Sequence, residues 1–142
     1  QRNVIIAKAQ ELLPEMSGKT VAILGLAFKA NTDDVRDTPA LEIIKGLEDA
    51  GAVVRAYDPI AAENMKKFFL PNLDTRQTVI ETVQDADLVI ILTEWNELRG
   101  LGLKDLKTHL RAPNIVDARN VLSIDQLKEF GYNYRNVGRS RL

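Results

Sequence analysis

Two cations and two carboxylates lie close together in the segment that follows the first predicted strand. Lys29 and Arg36 flank Asp33 and Asp34 there. The lysine ammonium is a point charge on a flexible stem, and the arginine guanidinium is a planar group with several N–H donors. Both bind phosphate or sugar oxygens well. The two aspartates can accept backbone N–H groups and so brace the loop. The same charges can instead pair with one another in a solvated loop, and composition alone leaves both interpretations open.

The segment differs from the two common phosphate-binding loops. After Gly25 no second glycine follows at the spacing of the dinucleotide fingerprint, and no glycine-rich cradle precedes Lys29 as it does in a P-loop. The segment is also longer than the roughly two to six residues that usually join a strand to a helix. Long ordered loops often carry function. The segment is therefore a candidate binding loop of neither common type.

Other polar and aromatic residues are weaker candidates. Asp58 ends the second predicted strand, where dinucleotide-binding domains place a ribose-binding acid. Because no glycine fingerprint precedes Asp58, we predict that it caps the next helix, aided by Pro59. Glu94 and Trp95 follow the most apolar strand and either line a pocket or, for the tryptophan, pack in the core. His109 falls in a predicted last helical turn, where we expect an exposed or hydrogen-bonded structural role.

Five short runs predict the strands that must position these side chains. They span residues 20–25, 52–57, 87–92, 114–117 and 132–137. The first and third are almost continuously apolar rather than alternating. Such strands are buried on both faces, which is typical of a parallel sheet covered by helices.

Helical patterns fill the intervals between the strands. Pro39 suits the first turn of a helix, with Asp37 or Thr38 available to cap it, and Gly51 suits its end. Further helices are predicted at residues 4–13, 61–70, 78–86, 103–110 and 123–130. This alternation predicts an α/β fold, a Rossmann-like, doubly wound parallel sheet in three α/β/α layers preceded by one helix. Ligands of such sheets bind beyond the carboxyl ends of the strands.

The composition excludes several functional classes. The chain has 142 residues, the size of one domain, and no apolar run of the roughly 20 residues needed to cross a bilayer. With 19 basic and 20 acidic residues it has no electrostatic footprint for nucleic acid or for a membrane surface. Without cysteine, and with a single histidine, it offers no disulfide framework, cysteine nucleophile or metal cluster. We expect no metal site and a cytoplasmic protein.

Four motifs in one order give a more specific indication. They read GLAFK-A-NTDDVR-DT-PAL (residues 25–41), YDP (57–59), ADLVIILTEW (86–95) and VDARN (116–120). Together they resemble the carboxy-terminal domain of the UDP-glucose/GDP-mannose dehydrogenase family, over about residues 18–138. The LA pair of the first motif and the TEW of the third are more similar to UDP-glucose members than to GDP-mannose members.

This resemblance implies a function for the polypeptide to which the chain belongs. Members of the family oxidise the C6 alcohol of a nucleotide sugar to a uronic acid with two NAD⁺ and one water, which for UDP-glucose gives UDP-glucuronate. An amino-terminal domain holds NAD and a catalytic cysteine, a central helix builds a homodimer, and the carboxy-terminal domain binds the nucleotide of the substrate. Residues 1–17 would then end the connecting helix and linker, and residues 18–142 would form the UDP-binding domain. Because this chain lacks cysteine, we expect it to be inactive alone.

The resemblance also assigns four side chains. Phe28 and Lys29 correspond to a pair that contacts the nucleotide sugar, and Arg119 to an arginine at the uridine end. Arg36 corresponds to an arginine that reaches NAD when the domains close. Three of the four have an alternative role: Phe28 can pack against the sheet end, Arg119 can pair with Asp117, and Arg36 can pair with a neighbouring aspartate.

Two other functions remain open at this point. The first keeps the family and changes the sugar, for example to UDP-N-acetylmannosamine, because the sugar pocket of the family lies mostly in the other half. The second is a free-standing regulatory domain that binds NAD or another nucleotide. A gene that encodes a glycine fingerprint and a cysteine upstream in the same reading frame would separate the dehydrogenase from the regulatory domain.

Overall fold

Strands and helices alternate along the chain. The computed structural model describes residues 2–27, 29–95, 97, 100 and 102–137. Its strands are β1 (Thr20–Leu24), β2 (Val53–Tyr57), β3 (Asp74–Thr75), β4 (Leu88–Ile91), β5 (Asn114–Asp117) and β6 (Asn133–Asn136). Its helices are α1 (Arg2–Leu12), α2 (Pro39–Asp49), α3 (Ala62–Phe68), α4 (Val79–Val83), α5 (Leu103–His109) and α6 (Ile124–Glu129).

The strands form one parallel sheet in the order β3-β2-β1-β4-β5-β6. From β1 the chain builds outward through β2 to β3, and it then returns to the centre at β4 and builds outward the other way. The point between β1 and β4, where the direction reverses, is the place at which open α/β sheets bind ligands. The predicted Rossmann-like, doubly wound fold is confirmed.

Alternating residues of the central strands explain the continuous apolar runs. Val21 and Ile23 of β1 belong to the core beneath α1, α2 and α3, whereas Ala22 and Leu24 belong to the core beneath α4, α5 and α6. All four side chains are fully buried. Both faces of the strand are therefore covered, as the sequence predicts.

Helix α1 completes one of the two helical layers. Its Ile5 and Ala9 are buried in the same core as α2, and an ion pair of 2.7 Å joins Glu11 to Arg135 of β6. Both cores are thus built from residues of this chain. We therefore expect the chain to fold without further polypeptide.

The helices after α1 are shorter than the sequence patterns suggest. Thr78 caps α4 by accepting a hydrogen bond from Glu81 N at 3.1 Å, and the left-handed Asp85 (φ 59°) excludes continuation to residue 86. Within the described ranges, no helix combines the length and apolarity required to cross a membrane.

Candidate functional site

The turn after β1 is held by one buried carboxylate. Asp58, 5% exposed, follows β2 and accepts hydrogen bonds from Leu26 N (2.8 Å) and Ala27 N (3.1 Å) through one oxygen. Its other oxygen accepts from Ile60 N (2.9 Å) and Ala61 N (2.8 Å), just before α3. The predicted capping role is confirmed in part: Asp58 holds the turn that leads into α3, whereas the N-cap position itself is Ala61, which has no side-chain cap. The two bonds to the β1 turn are an additional role that local sequence did not indicate.

Two threonines hold the carbonyl groups of the same turn. Thr93, directly after β4, donates to Ala27 O at 3.1 Å, and Thr38, the cap of α2, donates to Leu26 O at 2.8 Å. Gly25 has φ +104°, and a Cβ added there would overlap the Thr93 hydroxyl. The turn therefore needs glycine both for its backbone and for the space that Thr93 occupies.

A dinucleotide phosphate does not fit at this turn. In dinucleotide-binding domains the backbone N–H groups of the first strand-to-helix turn face the pyrophosphate, and glycines let it approach. Here Asp58 takes the N–H groups of Leu26 and Ala27, and Thr93 fills the space beside Gly25. The N–H groups of this turn are therefore not available to a phosphate, and the side chains of the following loop are the remaining candidates after β1.

The loop beyond the turn carries the charged residues. Lys29 is exposed, and Asn64 of α3 ties the loop down by donating to Asp33 O at 3.0 Å. Arg36 donates to both carboxylate oxygens of Asp34 at 3.0 Å, and its own backbone N–H donates to Asp34 at 2.9 Å. These hydrogen bonds from Arg36 lower the pKa of Asp34 to about 2. The predicted pairing of Arg36 with a neighbouring aspartate is confirmed, and the NAD contact predicted for the same side chain stays a prediction.

Arg36 occupies a different place from the other two predicted cations. It lines a surface cavity of about 680 Å³ together with Val35, Asn64, Phe68 and Phe69, and its side chain is 83% exposed. Neither Lys29 nor Arg119 lines that cavity. Lys29 nevertheless lies near enough to Asp34, the partner of Arg36, to help lower the pKa of that carboxyl, so the two cations belong to one charged loop.

A second buried carboxylate holds the loop after β5. Asp117 is fully buried and accepts from the backbone N–H groups of Arg119 (3.2 Å), Val121 (3.2 Å) and Leu122 (2.9 Å). The Arg119 guanidinium instead donates to Glu94, which follows β4, at 2.8 Å. The alternative of an Arg119–Asp117 side-chain pair is therefore wrong, because the lone pairs of Asp117 face backbone amides.

The predicted substrate contacts follow the two strands that flank β4. Lys29 follows β1, Glu94 follows β4 and Arg119 follows β5, and β4 lies between the other two strands. The Arg119 and Glu94 side chains are 39% and 41% exposed, so the ion pair faces solvent and is open to a ligand. Phe28, the remaining predicted contact, lies outside the described residues.

Aromatic residues fill the space behind this edge. Trp95 is buried in the core, and its indole N–H has no acceptor among the described residues. Burial, together with the hydrogen bond that its hydroxyl donates to Glu97 (2.9 Å), raises the pKa of Tyr57 to about 12.

His109 lies in the last turn of α5 and contacts Gln84 through Nδ1 at 3.0 Å, as expected for a structural histidine.

Comparison with known proteins shows the family to which the chain belongs. The UDP-binding domain of the UDP-glucose/GDP-mannose dehydrogenase family matches residues 22–124, which include the β1 turn, the charged loop and Arg119. The chain belongs to this family. The predicted resemblance is confirmed over most of the chain.

Individual relatives within the family agree with this assignment. The UDP-glucose 6-dehydrogenase of Rhizobium meliloti (strain 1021) is 42% identical over 125 residues, which cover 88% of this chain and 28% of that protein. The chain therefore spans less than a third of that relative.

Solved structures within the same family share the fold. An NDP-N-acetyl-D-galactosaminuronic acid dehydrogenase from Methanosarcina mazei Go1 has a TM-score of 0.82 and 29% identity, covering 97% of this chain and 28% of that one. A UDP-glucose dehydrogenase from Pyrobaculum islandicum has a TM-score of 0.77 and 28% identity, covering 94% and 28%.

Proposed function

We propose that the chain is the carboxy-terminal UDP-binding domain of an NAD-dependent UDP-glucose 6-dehydrogenase. The full polypeptide would convert UDP-glucose to UDP-glucuronate with two NAD⁺ and one water. The observation that carries this proposal is the placement of Lys29 and Arg119 on loops after β1 and β5, on either side of β4, in a chain of this family. Two cations at that edge suit a diphosphate and its nucleoside.

The chemistry itself would belong to the rest of the polypeptide. The proposed reaction uses a cysteine nucleophile, and this chain contains none. The β1 turn does not fit a dinucleotide phosphate, so NAD would be bound mainly by an amino-terminal domain. Residues 1–17 would connect that domain to residues 18–142. A cytoplasmic homodimer is the assembly that we propose for the full-length protein.

Lys29 and Arg119 are the residues that we propose to bind the nucleotide, with Phe28 between the turn and Lys29 as a further contact. Lys29→Ala or Arg119→Ala should each remove a charge-assisted hydrogen bond of about 1.5–3 kcal/mol. UDP affinity should fall by about tenfold to somewhat over a hundredfold. Calorimetric titration of UDP into the wild-type and variant chains measures this loss.

Arg135→Ala is the matched control for this titration. Arg135 is as exposed as Arg119 and likewise pairs with a glutamate, but its partner Glu11 lies on α1. Its replacement should leave UDP affinity unchanged. Unaltered affinity in both Lys29→Ala and Arg119→Ala, with the fold intact by circular dichroism, would reject the assigned site.

Arg36 is proposed to contact NAD across the closed domains. Its high exposure and the cavity that it lines support a partner outside this chain, and Asp34 engages the guanidinium through Nε and Nη2, on one edge of its plane. Arg36→Ala in a full-length polypeptide should raise the KM for NAD by about tenfold, the loss of one charge-assisted bond. Steady-state kinetics measure the change. If Arg36→Ala in the isolated chain instead reduced UDP affinity as much as Lys29→Ala does, Arg36 would belong to the nucleotide site.

One observation favours an alternative sugar. The similarity to the N-acetyl-D-galactosaminuronic acid dehydrogenase structure is as high as that to the UDP-glucose dehydrogenase structure. The same domain could therefore serve a dehydrogenase of an N-acetylated UDP-sugar such as UDP-N-acetylmannosamine. Preferential oxidation of that sugar over UDP-glucose by the full-length enzyme would establish the alternative.

A further inference from the structure

Two buried acids at the carboxyl edge of the sheet share one arrangement. Asp58 follows β2 and Asp117 ends β5, and each is at most 5% exposed. Each carboxylate accepts backbone N–H groups of a loop that carries a proposed nucleotide contact. Asp58 holds Leu26 and Ala27, just before Lys29, and Asp117 holds the N–H of Arg119 itself.

These bonds hold the backbone of Arg119 itself and of Leu26 and Ala27, the latter two positions before Lys29. A buried carboxylate with several N–H donors binds them strongly, because the donors replace the water that it has lost. Thr93 adds a restraint on the same turn by donating to Ala27 O at 3.1 Å. A flexible lysine can reach a phosphate from many backbone positions, so a fixed starting point reduces the entropy lost on binding.

We propose that Asp58 and Asp117 are positioning residues for the nucleotide, Asp58 acting through Lys29 and Asp117 through Arg119. This inference rests on the proposed function, since it assumes that the two cations bind UDP. It adds that each cation has its own buried acid. Neither acid needs to contact the ligand.

A third buried acid provides a matched control. Asp87 is 4% exposed and accepts from Thr20 N at 2.9 Å and from Arg111 at 3.5 Å. It lies at the amino end of β4, the opposite edge of the sheet from Lys29 and Arg119. Asp87→Asn therefore disturbs a comparable buried hydrogen-bond group without disturbing either loop.

The test is a set of double-mutant cycles in the purified chain, with UDP affinity measured by calorimetry. Asp58→Asn should weaken UDP binding by about three- to tenfold in the wild-type chain, by the same factor in Arg119→Ala, and by less than about twofold in Lys29→Ala. Asp117→Asn should show the reverse dependence. Asp87→Asn should lower thermal stability but leave UDP affinity unchanged.

A milder variant covers the case in which Asp58→Asn does not fold. Thr93→Val removes one hydrogen bond to the same turn and keeps the shape of the side chain. Its effect on UDP affinity should also disappear in the Lys29→Ala background. Equal effects of the Asp58, Asp117 and Asp87 variants, or effects independent of the Lys29 and Arg119 backgrounds, would overturn the inference.

Amide hydrogen exchange separates this inference from the proposed function. The N–H groups of Leu26, Ala27 and Arg119 should exchange slowly in the wild-type chain. The first two should exchange faster in Asp58→Asn, and the third in Asp117→Asn. Fast exchange in the wild-type chain contradicts the positioning role alone. Slow exchange in a chain that does not bind UDP contradicts the proposed function. The positioning role is then also rejected, because it assumes that Lys29 and Arg119 bind UDP.

Discussion

Replacement of Gly25 by alanine is expected to lower the free energy of unfolding by about 2–6 kcal/mol. Gly25 has φ +104°, which L-residues rarely adopt, and the new Cβ would overlap the side chain and backbone N of Thr93. Relief of that overlap must displace Thr93, which lies two residues after β4, or move the turn away from Asp58. Urea denaturation followed by circular dichroism measures the loss.

Gly18→Ala separates the cost of backbone strain from the cost of the overlap with Thr93. Gly18 also has a positive φ, +77°, but a Cβ there meets nothing within 4 Å. Its replacement should cost only the conformational penalty of about 1–2 kcal/mol. The difference between the two variants measures the Thr93 overlap. Equal losses would show that the β1 turn shifts freely, which would contradict the tight positioning described for Leu26 and Ala27.

The sheet was predictable because its strongest signals are local. Residues 20–25 and 87–92 are almost continuously apolar, and a strand with this pattern is stable only when helices cover both of its faces. Helix boundaries were less predictable, since α4 stops where Asp85 adopts a left-handed backbone. Strand β3 was missed because its two residues, Asp74 and Thr75, carry no apolar pattern. Its pairing depends on β2 as a neighbour.

The site shows the same division between local and distant contacts. Asp34 and Arg36 are two residues apart, so their pairing was a visible alternative in the sequence. The pairing of Arg119 with Glu94 depends on the adjacency of β4 and β5 in the sheet. Local sequence does not indicate which strands are adjacent. Asp58 was recognised as a cap, but its bonds to Leu26 and Ala27 join separate strand ends. No local pattern signals such bonds.

The largest loss of UDP affinity is expected when Lys29 and Arg119 are both replaced by alanine. The two residues extend from different loops, held by different buried acids, so their contributions should be nearly additive. Two charge-assisted bonds of about 1.5–3 kcal/mol each predict a combined loss of about 3–6 kcal/mol. Affinity should then fall by about a hundredfold to ten-thousandfold.

Lys104→Ala/Arg135→Ala makes the same change in net charge away from the site. Lys104 is exposed on α5, and Arg135 pairs with Glu11 near α1. If UDP responded only to the overall charge, both double variants would weaken it equally, and that result would contradict the site. Competitive titration measures the weak affinities. A double loss no larger than that of Arg119→Ala alone would mean that the two cations are coupled and do not bind UDP independently, which would contradict the expected additivity.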